Sequence, residues 1–256
     1  MSFRLLSYNI RHGGRGREEA IAAVVAASNP DLVVLQEATN AAVVERVASL
    51  CGMARCGTQP KTSLGFMSRL PVRDHTWHRP RVSRHAFLEI HPAGVDFSVF
   101  GVHLSAVHAA WTERRRSFEL GALLRTIKAH DRGFHVLAGD FNTLAPGDAL
   151  DFRKLPARLR ALVWLSGGRI RWRTIQIVLN AGYVDAFRKL HPEDRGLSFP
   201  VWDPHVRLDY VFGSAGHAAR LLACDVVRQP EIVRDASDHF PLFAEIAGGA
   251  PPARDL

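Results

Sequence analysis

Apolar positions along the chain switch between a period of two and a period near 3.6, and the switches outline a series of short elements. Residues 3–10 form an apolar run that ends at Asn9, after which Gly13, Gly14 and Gly16 break the chain. From Arg17 to Ala27 the positions Ile21, Val24 and Val25 recur at helical spacing, with Glu18 and Glu19 suited to the first turn and Asn29-Pro30 as the stop. Asp31–Glu37 is apolar on both faces, the mark of a covered strand, and a second helix is expected over 40–51. Leu64–Val72 and His85–His91 read as strands separated by a loop rich in Arg, His and Pro, and Val95–Leu104 reads as a clearer strand. Thr112–His130 carries the longest helical pattern. Phe134–Ala138 reads as a buried strand, Leu150–Leu179 as helix in pieces broken at Gly167-Gly168, and Leu208–Phe212 and Leu242–Ile246 as late strands. Alternation of this kind, without a repeat or a linker-like shift in composition, predicts one α/β domain over 1–247, followed by a flexible tail over 248–256.

The chain has 256 residues, of which 47% are hydrophobic and 23% charged, so it can bury a large core and is not disordered. No apolar run reaches the roughly 18–20 residues of a membrane-spanning helix, and the first ten residues carry no secretory signal pattern. A cytoplasmic address is the expectation. Three cysteines, Cys51, Cys56 and Cys224, make no disulfide framework and no structural zinc site, and are expected to stay reduced. The formal charge is +8, and 29 of the 33 basic residues are arginine. Such a surplus favours anionic partners, and arginine suits bidentate phosphate contacts.

What stands at the ends of the apolar runs carries more. Asn9 ends the first, Glu37 the second and His103 the Val95–Leu104 strand; Asp140 and Asn142 follow the next, Asp209 lies in a late one, and Asp238-His239 leads into the last. Each taken alone has a structural reading: a solvated strand edge, a capped turn, a satisfied core histidine. Together they describe one crevice fed by strand ends, and its oxygen-rich donors suit Mg²⁺ or Mn²⁺ rather than a softer metal.

At these residues the chain resembles the endonuclease/exonuclease/phosphatase superfamily of metal-dependent phosphoesterases. The matching pieces are Ser-Tyr-Asn9-Ile, Asn-Pro-Asp-Leu-Val-Val-Leu-Gln-Glu37, Ser-Arg-Leu-Pro-Val72, Val-His103-Leu, Gly-Asp140-Phe-Asn142, Arg-Leu-Asp209-Tyr210 and Ser-Asp238-His239-Phe-Pro241. They stand in the family's order over residues 7–241. The resemblance implies a four-layer α/β sandwich, two packed mixed sheets flanked by helices, with the site at one end. It implies Glu37 as the principal metal ligand with Asn9 beside it, Asp238 as a second-site carboxylate and Mg²⁺ as the metal. Asp140 then orients water, Asn142 donates to a phosphate oxygen, His239 is the catalytic histidine backed by Asp209, and His103 is a second histidine at the phosphate. The implied reaction is attack of metal- and carboxylate-activated water on phosphorus. Arg11, and His103 in place of a tyrosine-type strand end, depart from the apurinic-endonuclease branch and point away from a dedicated DNA-repair role.

Two basic stretches are candidates for substrate contact. Residues 152–173 hold seven cations and no acid, Arg169, Arg171 and Arg173 among them, interleaved with Phe152, Trp164 and Trp172. This pattern suits phosphate tracking with base stacking, an interfacial helix on anionic lipid, or a solvated helix face. Arg69, Arg73, His75, Trp77, His78, Arg79, Arg81, Arg84 and His85 form the second cluster, suited to phosphate contact or to plain surface, and weakly to metal. The expected partner is a phosphate-containing anion, nucleic acid first, with a phospholipid or phosphomonoester as the alternative and a silent anion-binding protein as the remote one. Peripheral contact with an anionic membrane is compatible with the same residues, and a monomer without an obligate protein partner is expected.

Overall fold

The first strand, β1 (Ser2–Asn9), turns Phe3 and Leu5 to one face and Leu6 and Tyr8 to the other, and both faces are buried. Such a strand must be covered on two sides, and the rest of the chain supplies the covers. The computed structural model describes residues 2–80, 85–106, 110–129, 133–148, 150–155, 157–165 and 172–249. After β1 come α1 (Glu18–Ser28), β2 (Leu32–Gln36), α2 (Ala41–Leu50), β3 (Arg55–Thr58) and β4 (Leu64–Ser68). Next are β5 (Val72–His78), β6 (Phe87–Pro92), β7 (Ser98–His103), α3 (Ala110–Ala129), β8 (His135–Asp140), α4 (Ala157–Leu165) and α5 (Thr174–Asn180). The chain closes with β9 (Tyr183–Asp185), α6 (Ala186–Leu190), β10 (Asp209–Ser214), β11 (Leu221–Val226), α7 (Val233–Ala236) and β12 (Leu242–Ala247).

Two mixed six-stranded sheets result, ordered β11-β12-β1-β2-β4-β3 and β5-β6-β7-β8-β10-β9. Between them lie Phe3, Leu5, Leu32, Val34, Val99, Val136 and Val211. The alternate residues Leu6, Tyr8, Val33 and Leu35 pack under α1 and α2, and Phe100, Val102, Leu137 and Phe212 pack under α3 and α5. The architecture is therefore the four-layer α/β sandwich, and each buried side chain of this size contributes roughly 1.5–3 kcal/mol. No helix among the described residues is long and apolar enough to cross a membrane.

Strand direction decides where the site forms. β1 and β2 run parallel, as do β7 and β8, so Asn9, Glu37, His103 and Asp140 emerge at strand C-termini. β10 runs antiparallel to β8 with Asp209 opposite Asp140, and β12 runs antiparallel to β1 with Leu242 opposite Ser7, which brings Asp238-His239 to the end of β1. Gly139 lets β8 lie close to β7: a Cβ there would stand 1.8 Å from the Val102 carbonyl oxygen.

Some expected elements differ. Leu64–Val72 is not one strand. Its chain leaves the first sheet after Ser68 and enters the second at Val72, with Leu70-Pro71 as the crossing, and the supposed loop beyond is the edge strand β5. β3, β9 and β11 were not expected from the pattern. The break at Gly167-Gly168 and the tail from Ala250 lie outside the described residues, as do Arg81, Arg84, Arg169 and Arg171.

Candidate active site

Left-handed backbone marks the site before any side chain is considered. Glu37 (φ 55°) and Asn142 (φ 52°) sit just past β2 and β8, and Arg11 and His12 (φ 50° and 49°) follow β1. Non-glycine residues in this region cost about 1 kcal/mol or more and persist where the fold over-determines them. Here the turns aim two side chains inward.

Asn9 is the bridge. Its amide donates to Asp140 Oδ2 at 3.0 Å and to Glu37 Oε1 at 3.4 Å, while its own Oδ1 accepts from the Arg11 backbone at 2.9 Å. Glu37 is half-buried. Burial works to raise its carboxyl, but the His12 N–H, the His103 imidazole and the Asn9 amide together hold it below the ordinary glutamate range. Asp140 accepts from the Asn142 backbone at 2.8 Å and from the Asn142 side chain at 3.1 Å, and that side chain also donates to the Leu104 carbonyl at 3.0 Å. Burial pushes Asp140 up to about 7, helped by the charge of Asp209 and opposed by His239.

His239 and Asp209 form a buried pair, Nδ1 to Oδ2 at 2.9 Å, and His239 Nε2 stands 3.9 Å from Asp140 Oδ2. Burial alone would lower the imidazole, yet Asp209 and Asp140 outweigh it and raise His239 to about 10. His103 goes the other way: burial and the neighbouring His85 lower it to about 4, against the pull of Glu37. Two histidines in one site are thus held in opposite charge states. Asp238, half-buried, pairs with Arg11 Nε at 3.4 Å.

All eight catalytic and metal candidates therefore stand at one end of the sandwich. Four side chains not singled out by sequence support them. Ser63 Oγ lies 2.8 Å from His103 Nδ1, Ser198 Oγ donates to Asp209 Oδ2 at 2.6 Å, Ser237 Oγ donates to the Asn9 carbonyl at 2.6 Å, and the Phe199 ring packs 4.6 Å from the His239 ring. Only Ser237, inside Ser-Asp-His, had a local signal.

The substrate-contact candidates fare differently. Arg69 lies at the opposite end of the first sheet, its N–H on the Asp31 carbonyl, because β4 runs antiparallel to β2. Five residues of strand, roughly 16 Å, separate it from the Glu37 end, so it cannot contact the same phosphate. His75, His78 and His85 do not converge: His75 packs on Phe66, His78 bonds Glu89 and His85 stands beside His103. Arg173 is exposed, and its backbone amide donates to buried Glu113 at 2.7 Å. Glu113 also accepts from Thr143 Oγ1 at 2.7 Å, one residue past Asn142, so the end of the basic segment is tied to the site rim.

Do these donors fit a divalent cation? Asp140, Asp209 and His239 offer ligand atoms within 4.8 Å of one another, and Asp209 Oδ1 is buried without a hydrogen-bond partner. His239 and Asp209 pair with each other, and the oxygens of Glu37, Asn9, Asp238 and Asp140, which accept from His12, Arg11, Asn9 and Asn142, are harder donors at the same end. The cluster suits a divalent metal ion.

Comparison with known proteins agrees with this geometry. No curated protein sequence matches the chain. The fold is similar to an AP endonuclease from Archaeoglobus fulgidus (20% identity, TM-score 0.73, covering 94% of this chain and 98% of that one). It is similar also to the 3′ phosphatase NExo from Neisseria bound to product DNA hairpin (21%, TM-score 0.72, 96% and 99%). A third likeness is to D. rerio TDP2 complexed with single strand DNA product (18%, TM-score 0.67, 96% and 99%). Residues 6–239 match the Endonuclease/Exonuclease/phosphatase family over nearly the whole length, and the chain belongs to that family of phosphoester hydrolases.

Proposed function

We propose that the protein is a Mg²⁺-dependent phosphodiesterase whose leading substrate is nucleic acid. The observation that carries this is the convergence of Asn9, Glu37, His103, Asp140, Asn142, Asp209, Asp238 and His239, with one histidine held neutral and the other charged. Groups whose environments push their protonation apart mark acid and base roles. In this reading Glu37, Asn9 and Asp238 hold the metal, which when bound supplies positive charge against the developing charge on phosphate. Asp140, raised toward neutrality and oriented by Asn9 and Asn142, takes the proton of the attacking water. Protonated His239, held by Asp209, donates to a phosphate oxygen, as does Asn142. His103, neutral and positioned by Ser63, offers a further contact without adding charge.

The preference for nucleic acid is supported by the +8 charge, by the arginine-rich segment tied to the rim at Glu113, and by the DNA products bound to two of the structural relatives. One feature favours a lipid substrate instead. Trp164 and Leu165 on α4 are 76% and 72% exposed, beside exposed Arg158 and Arg160. A panel of bis-p-nitrophenyl phosphate, DNA, RNA, sphingomyelin and inositol phosphates, each with Mg²⁺ or Mn²⁺, decides between them. DNA or RNA should be cleaved fastest; preference for sphingomyelin would move the assignment to lipid.

The protonation states set a pH profile. A base must be unprotonated and a charge-stabilising imidazole protonated. So kcat/KM should rise with pH as Asp140 loses its proton near 7, and fall as His239 loses its proton near 10. Asp140→Asn should abolish the acidic limb along with most of the rate. If the acidic limb survives in that variant, another group is the base.

A further inference from the structure

Six non-glycine residues among those described have positive φ: Arg11, His12, Asn29, Glu37, Lys61 and Asn142. Asn29 caps the C-terminus of α1, where left-handed asparagine is common. Arg11, His12, Glu37 and Asn142 belong to the active site or hold it. Lys61, φ 62°, is left to explain. It is the third residue of the turn Gln59-Pro60-Lys61-Thr62, closed by the Thr62 N–H on the Gln59 carbonyl at 3.2 Å. Proline second and positive φ third are the marks of a type II turn, whose third place favours glycine or asparagine. Lysine there carries strain that glycine would not, and such strain gathers at functional sites.

The surroundings of the turn indicate its use. A cleft of about 630 Å³ is lined by Thr39, Lys61, Thr62, Ser63, His85 and Ala86. It opens beside the active site: Ser63 bonds His103, the His85 ring is 5.5 Å from the His103 ring, and the Thr39 N–H donates to the Glu37 carbonyl at 2.8 Å. Among the described residues its lining is an ammonium, an imidazole, three hydroxyls and a methyl, with no carboxylate. Exposed Arg79 adds a second cation at the turn, donating to the Lys61 carbonyl at 3.3 Å. The size is that of a small-ligand site, and cations with hydroxyls and no acid describe an anion site. In any polyphosphorylated substrate, the anion closest to the scissile phosphate is the next phosphate.

We infer that this cleft is a second phosphate subsite, in which Lys61 binds a phosphate covalently linked to the one being cleaved. The preferred substrate then carries at least two phosphates on one sugar or polyol, as both nucleic acid and a phosphorylated inositol headgroup do. This rests on the phosphoesterase reading above, and it adds that Lys61 selects substrate.

Binding without turnover tests it. Affinities of thymidine 5′-monophosphate, thymidine 3′,5′-bisphosphate and an inositol bisphosphate are measured by calorimetry on the full chain, wild type, Lys61→Gly and Lys61→Arg. A bisphosphate preference of roughly tenfold or more is expected in the wild type, the worth of a charge-assisted contact. Lys61→Gly should bring the ratio close to one while holding or raising Tm, since glycine accepts this φ without strain. Lys61→Arg should keep most of the preference. A tighter inositol ligand would support the subsite with a lipid headgroup as its source. No preference in the wild type, or an unchanged ratio in Lys61→Gly, overturns the inference. Hydrolysis of bis-p-nitrophenyl phosphate, run in parallel, separates the two readings. A bisphosphate preference without any hydrolysis would keep the subsite and remove the proposed activity, whereas hydrolysis without preference would do the reverse.

Discussion

His239→Ala is expected to lower kcat by roughly 10²–10⁴, the usual range for losing a positioned acid, base or charge stabiliser. The imidazole is buried, held by Asp209 at 2.9 Å and packed against the tilted Phe199 ring, so its position is fixed by its neighbours. Asp209→Asn should cost less but in the same parameter, because the amide still orients the ring while the charge that keeps it protonated is gone. The pair acts as a unit, so the double variant should be little worse than His239→Ala alone. Measured kcat losses that multiply as if independent would break the proposed coupling. Circular dichroism and Tm of each variant separate this from unfolding; removing His239 leaves the Asp209 carboxylate buried and loses its compensation, so some loss of stability accompanies the loss of rate.

The same physical logic explains what could be read from the residues alone. β1, β2, β7 and β8 are covered on both faces, so their sequences are continuous apolar runs whose polar ends stand out, and Asn9, Glu37, His103 and Asp140 were legible for that reason. Edge strands gave no such signal. β5 carries Arg73, Asp74 and His75 because it is an edge strand exposed to water from Arg73 to Thr76, and its pairing with β6 runs through backbone groups that composition does not reveal. Arg69 was drawn to the site by charge, but which end of a strand faces the crevice depends on strand direction, and β4 points away. Ser63 and Ser198 were invisible for a different reason. They are short side chains on connecting segments, recruited across 40 and 11 residues of sequence to His103 and Asp209, and no local pattern marks them. Lys61 was equally hidden, since only the backbone angle shows that glycine would be easier there.

Glu37→Gln should remove most of the activity and most of the response to metal, while leaving the fold in place. The substitution keeps size and shape. The amide oxygen can still accept the His12 N–H, and the strained turn is unchanged, so nothing in the local backbone is asked to move. What disappears is the charge, which the neighbours of Glu37 keep in place despite partial burial. A hard cation is held by such charge more than by dipoles, so apparent affinity for Mg²⁺ should weaken by tenfold or more and kcat should fall with it. Thermal denaturation gives a readout independent of turnover. Metal at about 100 times its Kd stabilises the folded wild type by about 2.7 kcal/mol through linkage, and the variant at the same concentration should gain little. Without metal the variant loses the favourable contacts that the ionised carboxylate makes with the His12 N–H and the Asn9 amide, so near neutral pH it should be no more stable than the wild type. Full activity of Glu37→Gln at low Mg²⁺, or an undiminished metal-induced rise in Tm, would take Glu37 out of the metal site and leave Asp140, Asp209 and His239 as the alternative cage.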